Sequence, residues 1–276
     1  MPVPTFDTLR ITVDAGDPIA TLELHRPDKL NALSRRLLAE VVEACEWFDR
    51  QGDLKVVVVR GAGRSFSAGF DLGDFADPDP DLSPRDAADL GRLATEALTD
   101  VGQLTVAAVH GHCVGGGVVL AAACDLRLAA DDTRFSIPEV DLGIPLAWGG
   151  IPRLVREIGP ALTKELVLTC RPFDAAEALS IGLVNRIVPA GADGPAAVHD
   201  AAEALARELA GKAAYSLRTT KQQVNAATEE MIGTRRNAAD ADALVVALGD
   251  AESRDVSRRY LEQRTRQPTS VDNRSS

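Results

Sequence analysis

The sequence lacks the features that would mark a membrane, secreted or metal-binding protein. No run of about 18 uncharged apolar residues occurs, so we expect no membrane span. The first residues lack a basic segment followed by an apolar stretch, so we expect no secretory signal and a cytoplasmic location. The four cysteines form no Cys-x-x-Cys pair and have no metal-ligand spacing. This pattern predicts reduced, mostly buried thiols and no metal site.

Positive charge is scarce relative to negative charge. The sequence has 30 Lys and Arg against 41 Asp and Glu, which gives a formal net charge of −11. This balance argues against general nucleic-acid binding. It would also repel a phosphorylated ligand, so local donors would have to hold any such ligand. We therefore expect neither nucleic acid nor a membrane as a partner.

The composition is that of a globular protein with a large core. Of the 276 residues, 45% are apolar and 26% are charged, which are ordinary values for globular proteins. Apolar runs alternate with segments of helical periodicity, and this alternation predicts an α/β core over 1–195. Residues 196–266 are rich in Ala, Glu and Arg and predict a helical C-terminal region. Residues 267–276 are expected to form a disordered tail.

Local patterns predict several elements of the core. Residues 9–13 and 19–25 are expected to form a β-hairpin. Residues 54–59 and 104–109 are expected to be buried strands, because they are almost continuously apolar and rich in β-branched side chains. Ser34 is a suitable N-cap for the helix that follows it.

The segment 71–89 interrupts this alternation. It is rich in Asp and Pro and shows little periodicity, which predicts a mobile acidic loop. Loops of this length inside a compact domain are often lids or specificity elements. A solvated insertion without such a role fits the sequence equally well, so both interpretations remain open.

Two glycine-bearing turns and one acid indicate a chemical site. The turns are SAGFD (67–71) and GGG (115–117), and each follows an apolar run that is expected to be a strand. Either turn alone would be explained by chain reversal. Glu139 follows within SIPEVD (136–141), in a turn-like setting after a proline. Two amide donors and one acid would hold a thioester or ketone oxygen while a proton leaves the neighbouring carbon.

Seven segments, in this order and at this spacing, resemble the enoyl-CoA hydratase/isomerase (crotonase) superfamily. They are RPDKLNAL (26–33), GAGRSFSAGFDL (61–72), GHCVGGG (111–117), CDLR (124–127), PEVDLG (138–143), GGIPRL (149–154) and AAEALSIGLVN (175–185). The resemblance covers nearly the whole chain. It implies an α/β fold, a crotonase-like spiral of ββα units with a helical C-terminal trimerisation region. It also implies a homotrimer or hexamer.

The resemblance implies a role for each matching residue. The backbone N–H groups of Ala68 and Gly116 match the oxyanion hole that polarises an acyl-CoA thioester, and Glu139 matches a catalytic acid. Coenzyme A would enter as part of the substrate, with no separate cofactor. Tyr260 matches an aromatic that contacts CoA from the adjoining subunit, and Trp148 is expected either to line the acyl pocket or to belong to the core. The expected substrate-binding residues are Lys29, Leu30, Ala32, Ser67, Gly69, Phe70, Asp71, Gly115, Val119, Trp148 and Tyr260.

The sequence departs from the hydratases of this family at Val119. Those enzymes place a second glutamate there, and the two acids together orient the water that adds to the double bond. A valine has no lone pair or proton to offer, so the resemblance favours double-bond isomerisation by Glu139 over hydration. The dienoyl-CoA isomerase variant needs a further acid where Ala147 stands and is disfavoured. A catalytically silent protein that binds acyl-CoA or lipid is the alternative.

Overall fold

The computed structural model describes residues 1–76, 82–191, 194–234 and 239–266. The predicted tail, 267–276, lies outside the described residues. The strands are β1 Leu9–Thr12, β2 Ile19–Leu24, β3 Val56–Gly61, β4 Leu104–Val109, β5 His112–Val114, β6 Leu126–Ala130, β7 Arg134–Ser136, β8 Phe173–Asp174 and β9 Arg186–Val188. The helices are α1 Arg35–Asp49, α2 Gly73–Ala76, α3 Pro84–Asp100, α4 Gly116–Ala123, α5 Gly150–Thr169, α6 Ala175–Ser180, α7 Ala196–Ala210, α8 Ala214–Met231, α9 Ala239–Gly249 and α10 Ala251–Arg266. Strands and helices are thus interspersed up to β9, and every element described after β9 is a helix.

Two sheets organise the core. The larger has the strand order β1-β2-β3-β4-β6-β9, with β1 antiparallel to β2 and parallel pairing from β2 onward. The smaller sheet has the order β5-β7-β8. Strand β3 is buried on both faces because α1, α3 and α4 contribute to the core on one face and α7 covers the other. A continuous apolar run is the pattern expected for such a strand.

The sequence predicts the hairpin and the first helix correctly. Strands β1 and β2 pair as expected, with Leu9 opposite Leu24. Ser34 caps α1, and its hydroxyl accepts a hydrogen bond from the Leu37 amide at 3.2 Å. Such a cap satisfies one of the amide donors left open at a helix start. These elements depend on local pattern, which explains why they are predictable.

The prediction of one acidic loop over 71–89 is wrong for most of the segment. Helix α2 lies within it, and α3 begins at Pro84. The Ser83 hydroxyl accepts from the Asp86 amide at 3.1 Å, and a proline at the first helical position suits a helix start. Residues 77–81 lie outside the described residues.

The helical C-terminal region belongs to the same core. Helix α7 packs on the second face of the large sheet, and α9 contacts α3 and contributes Leu244 to the main core. The Lys221 ammonium of α8 is buried, where it pairs with the Asp125 carboxylate at 2.9 Å and donates to the Gln103 carbonyl at 2.8 Å. None of the helices in the described part of the chain is long and apolar enough to cross a membrane.

Candidate active site

A mostly apolar cavity of about 180 Å³ lies between α3, α4, α9 and the segment 139–148. Its charged lining residues are Glu139, Asp74 and Arg35. The other lining residues are Phe70, Leu82, Pro84, Ala87, Ala88, Gly116, Val119, Ile144, Pro145, Leu146, Ala147, Trp148, Leu244 and Leu248. The cavity therefore joins both glycine-bearing turns and the predicted acid.

Glu139 begins a tight turn that directs its carboxylate onto the start of α4. Its carbonyl accepts hydrogen bonds from the amides of Leu142 and Ile144, each at 3.0 Å. Its carboxylate oxygen Oε1 lies against Gly115, where a Cβ atom would collide with it. Gly115 also has φ 50° and ψ −117°, a conformation that side chains exclude. Glycine is thus required at 115 for two reasons: the backbone conformation excludes a side chain, and the Glu139 carboxylate occupies the place of a Cβ atom.

The environment of the Glu139 carboxyl group disfavours its charge. Burial raises the pKa of Glu139 from 4.5 to about 7. Its Oε2 atom is buried and receives no hydrogen bond from the residues that the structure describes. A carboxyl group in such a site exchanges its proton near neutral pH, as a general acid and base must.

The Gly116 amide is the first helical N–H of α4. No described residue accepts a hydrogen bond from it, as is usual for the first amides of a helix. The preceding Gly115 amide, by contrast, donates to the Ser136 carbonyl at 2.8 Å. Gly116 therefore presents a donor at the cavity wall, next to the glycine on which the Glu139 carboxylate rests.

The prediction of the Ala68 amide as an oxyanion donor is wrong. Its N–H donates to the Leu30 carbonyl at 2.9 Å. This bond belongs to a set that joins the 67–71 turn to the 30–33 segment, in which the Leu33 amide donates to the Gly69 carbonyl at 2.8 Å. The Ala68 amide thus holds two segments together, and Ala68 does not line the cavity.

The other predicted residues of the 67–71 turn divide into supporting and lining positions. Ser67 is fully buried, and its hydroxyl donates to the Asn31 carbonyl at 2.9 Å. Gly69 adopts φ 89° close to the Val114 carbonyl. The Asp71 carboxylate pairs with the Arg26 guanidinium at 2.8 Å. Burial alone would raise the pKa of Asp71, but the hydrogen bonds from Arg26 and from the Gly73 amide lower it by more, so the pKa lies below its ordinary value. Within this turn the cavity lining is supplied by Phe70.

The residues predicted to contact coenzyme A lie apart from the cavity. Lys29 is exposed at the end of a short 3-10 helix, and Leu30 and Ala32 are half-buried beside the 67–71 turn. Tyr260 is half-buried on α10. None of the four lines the cavity. Their contact with CoA, including a contact of Tyr260 across a subunit boundary, stays a prediction.

Val119 and Trp148 both line the cavity, and their contact with substrate stays a prediction. Val119 is 1% exposed and lies one helical turn after Gly116, so the cavity wall is apolar at that point. Trp148 was expected to be either a pocket residue or a core residue. It is both, since it lines the cavity and belongs to the main core cluster.

Sequence reasoning missed the walls that α3 and α9 supply. The missed residues are Leu82, Pro84, Ala87, Ala88, Leu244 and Leu248. Helix α3 was hidden because its first residues share an acidic, proline-rich composition with the segment before it. The amphipathic spacing of Ala88, Ala94 and Leu98 is the signal that could have revealed it.

Comparison with known proteins agrees on one family. A family model described as enoyl-CoA hydratase/isomerase matches residues 14–270. A protein named probable enoyl-CoA hydratase from Mycobacterium bovis is 37% identical over 229 residues, covering 83% of this chain and 85% of that protein. The mitochondrial Delta(3,5)-Delta(2,4)-dienoyl-CoA isomerase of Homo sapiens is 36% identical over 228 residues, covering 79% of this chain and 68% of that protein. The crystal structure of an enoyl-CoA hydratase/isomerase from Xanthobacter autotrophicus Py2 matches with a TM-score of 0.82 at 27% identity, covering 96% of this chain and 100% of that one.

Proposed function

Because the chain belongs to the enoyl-CoA hydratase/isomerase family, we propose that it shifts the double bond of an enoyl-CoA thioester with Glu139 as its single acid and base. One observation carries this proposal. The Glu139 carboxyl group lies in an apolar cavity beside the Gly116 amide, with Val119 in place of a second acid. This arrangement suits proton transfer between carbon atoms better than the addition of water.

The proposed reaction moves one proton and one double bond. The ionised Glu139 removes a proton from C2 of a 3-enoyl-CoA, and the electron pair of the C–H bond forms an enolate on the thioester. The protonated acid then returns the proton to C4, and the double bond lies between C2 and C3. A pKa of about 7 suits both steps, because the group must accept and release a proton at similar cost.

The enolate oxygen needs donors that are already in position. We propose the Gly116 amide as one donor, aided by the positive end of the α4 dipole. We propose the Phe70 amide as the second. The Gly69 carbonyl and the Asp71 amide both bond to Leu33, and successive groups of an extended segment point to opposite sides. The Phe70 amide is therefore directed away from Leu33, and Phe70 lines the cavity.

The size of the cavity favours a short acyl group. A cavity of about 150 Å³ holds a benzene-sized molecule, and this one measures about 180 Å³. An acyl chain of about six carbons is thus the group that we expect it to enclose. The CoA contacts, a homotrimer or hexamer and a cytoplasmic location stay predictions from the resemblance and the sequence.

Two other functions have specific observations in their favour. Hydration is favoured by the relatives that are named hydratases, among them the Mycobacterium bovis protein. A silent acyl-CoA-binding protein is favoured by Val119, which removes one acid while leaving the cavity intact. Dienoyl-CoA isomerisation has a named relative, but the resemblance implies a further acid for that variant at the position of Ala147, which is a neutral residue of the cavity lining.

Turnover of two substrates by the purified protein separates these functions. We expect conversion of 3-hexenoyl-CoA to 2-hexenoyl-CoA and little hydration of 2-hexenoyl-CoA. Glu139→Gln should reduce isomerisation by roughly 10²–10⁴-fold, the usual contribution of a positioned acid and base. Val119→Glu should introduce or raise hydration, with Val119→Leu as the control of similar size. Hydration faster than isomerisation in the unmodified protein would refute the proposal, and binding without turnover would favour the silent protein.

A further inference from the structure

Trp148 is held between glycines of two helices. A Cβ atom at Gly91 of α3 would overlap the indole at Cδ2, Cε2 and Nε1. A Cβ atom at Gly116 of α4 would overlap the opposite, benzene edge of the ring at Cζ3. The indole therefore touches both backbones at once, and it does so because neither position carries a side chain.

The backbone at Trp148 is fixed in a conformation that non-glycine residues avoid. Its φ is 63°, and Gly149 follows with φ 68°. Such conformations persist only when the surroundings enforce them. Here the Trp148 carbonyl accepts from the buried Thr95 hydroxyl of α3 at 3.1 Å, and the Gly149 amide donates to Asp240 of α9 at 2.9 Å. Two helices thus hold the indole where it lies.

The indole borders both the acid and the acyl cavity. Its benzene edge rests on Gly116, while the Glu139 carboxylate rests on the adjacent Gly115. The Phe70 ring meets it edge to face, with ring centroids 5.8 Å apart. Trp148 therefore closes the cavity on the side of α3 and keeps solvent from the acid on that side.

We propose that Trp148 limits the size of the acyl group that this site accepts, and that Gly91 determines where its indole lies. The inference rests on the proposed acyl-CoA site and names the residues that would limit its substrates to the short acyl chains proposed above. Gly91 lies in the middle of α3 and does not itself line the cavity. Its role is to leave room for the indole, so it positions Trp148 and has no contact with substrate.

Binding of saturated acyl-CoAs tests the proposal without requiring turnover. We expect Trp148→Ala to shift the ratio of dissociation constants for butanoyl-CoA and dodecanoyl-CoA by about tenfold or more toward the longer chain, since a single methylene in an apolar pocket is worth about tenfold. Trp148→Phe, which keeps an aromatic core residue, should give a smaller shift in the same direction. The pKa read from the pH dependence of turnover should fall in Trp148→Ala, because water then reaches Glu139.

The role of Gly91 predicts that a Gly→Ala substitution there changes thermal stability in the opposite direction from the usual one. Gly→Ala in a helix ordinarily stabilises it. Gly249→Ala, at the last residue of α9, where nothing lies within 4 Å of the new Cβ, should therefore raise the thermal midpoint or leave it unchanged. Gly91→Ala should lower the midpoint and weaken binding of both acyl-CoAs, because the methyl group displaces the indole. In the Trp148→Ala background, Gly91→Ala should behave as Gly249→Ala does.

Each outcome of these measurements bears on the inference. An unchanged chain-length ratio in Trp148→Ala and Trp148→Phe would overturn it, as would a raised midpoint in Gly91→Ala. If no acyl-CoA binds to the unmodified protein, the proposed function and this inference both fail. If the acyl-CoAs bind with the expected selectivity but no double bond moves, the inference stands and the isomerase proposal fails.

Discussion

Replacing Glu139 by glutamine should inactivate the protein and at the same time stabilise it at neutral and alkaline pH. The carboxyl group is buried, and its pKa is raised from 4.5 to about 7. Because the folded-state pKa lies above the unfolded-state value, the protonated acid contributes its full stability below about pH 4.5. That contribution is lost progressively as the pH rises from about 4.5 to about 7, and little further change is expected above that. Glutamine stays neutral at every pH and keeps a similar shape.

The size of the effect follows from the change in pKa. Each tenfold change in the proton-binding constant corresponds to about 1.4 kcal/mol. A pKa of about 7 in place of 4.5 then makes the ionised Glu139 cost the folded protein up to about 3 kcal/mol at about pH 9. We expect Glu139→Gln to raise the free energy of unfolding by up to that amount at about pH 9. The gain should already be close to about 3 kcal/mol at about pH 7, because the unfolded chain ionises from about pH 4.5 upward, and it should be less than about 1 kcal/mol at about pH 4.5.

Urea denaturation at these three pH values measures the effect, and turnover of 3-hexenoyl-CoA measures the loss of activity. Asp141→Asn is the matched control, since it changes an exposed acid in the same turn and should leave both readouts unchanged. The reasoning is refuted if Glu139→Gln changes stability equally at all three pH values. It is also refuted if the variant destabilises the protein at about pH 9 or retains activity.

Three further predictions concern other parts of the molecule. Gly115→Ala should reduce turnover by about 10²-fold or more, since the new Cβ would collide with the Glu139 carboxylate. Gly16→Ala is the control, because Gly16 also has a positive φ but has nothing within 4 Å of the new Cβ, so that only backbone strain is introduced. Lys221→Met leaves its carboxylate partner unpaired in a partly buried site and should lower the free energy of unfolding by about 3–5 kcal/mol, as measured by urea denaturation. Burial lowers the pKa of His199 to about 4; stability should therefore fall as the pH drops from about 6.5 toward 4, and this fall should be smaller in His199→Gln. An unchanged pH profile in that variant would contradict the assignment.

The elements that the sequence predicts well are those fixed by nearby residues. Asp174 caps α6, because its side-chain oxygen Oδ1 accepts a hydrogen bond from the Glu177 amide at 2.9 Å. The whole cap thus lies within four consecutive residues. The apolar run that forms β3 needs no distant information to be recognised as a buried strand. Helix α3 was missed because its composition resembles a loop and because Gly91 stands in its interior. The reason for that glycine, Trp148, lies more than fifty residues away.

The proposed oxyanion donors show where sequence reasoning stops. A glycine-rich turn indicates that some amide can approach a ligand, but it does not tell which one. The direction of each amide in the 67–71 turn is decided by pairing with the 30–33 segment, about 35 residues earlier in the chain. That pairing uses the Ala68 amide and the Gly69 carbonyl, which is why we propose the Phe70 amide as the donor in place of the Ala68 amide. A motif therefore locates such a site to within two residues, and long-range pairing selects the atom.

The three consecutive glycines at 115–117 have a common explanation in what lies on them. Glu139 rests on Gly115, Trp148 rests on Gly116, and Ser67 lies against Gly117. Two of these contacts come from the segment 139–148 and one comes from the other glycine-bearing turn. Chain reversal alone would require a glycine at 115, where φ is positive, and would leave the next two positions unconstrained. The three glycines are thus better explained by packing: without side chains, they leave room for Glu139, for Trp148 and for the 67–71 turn.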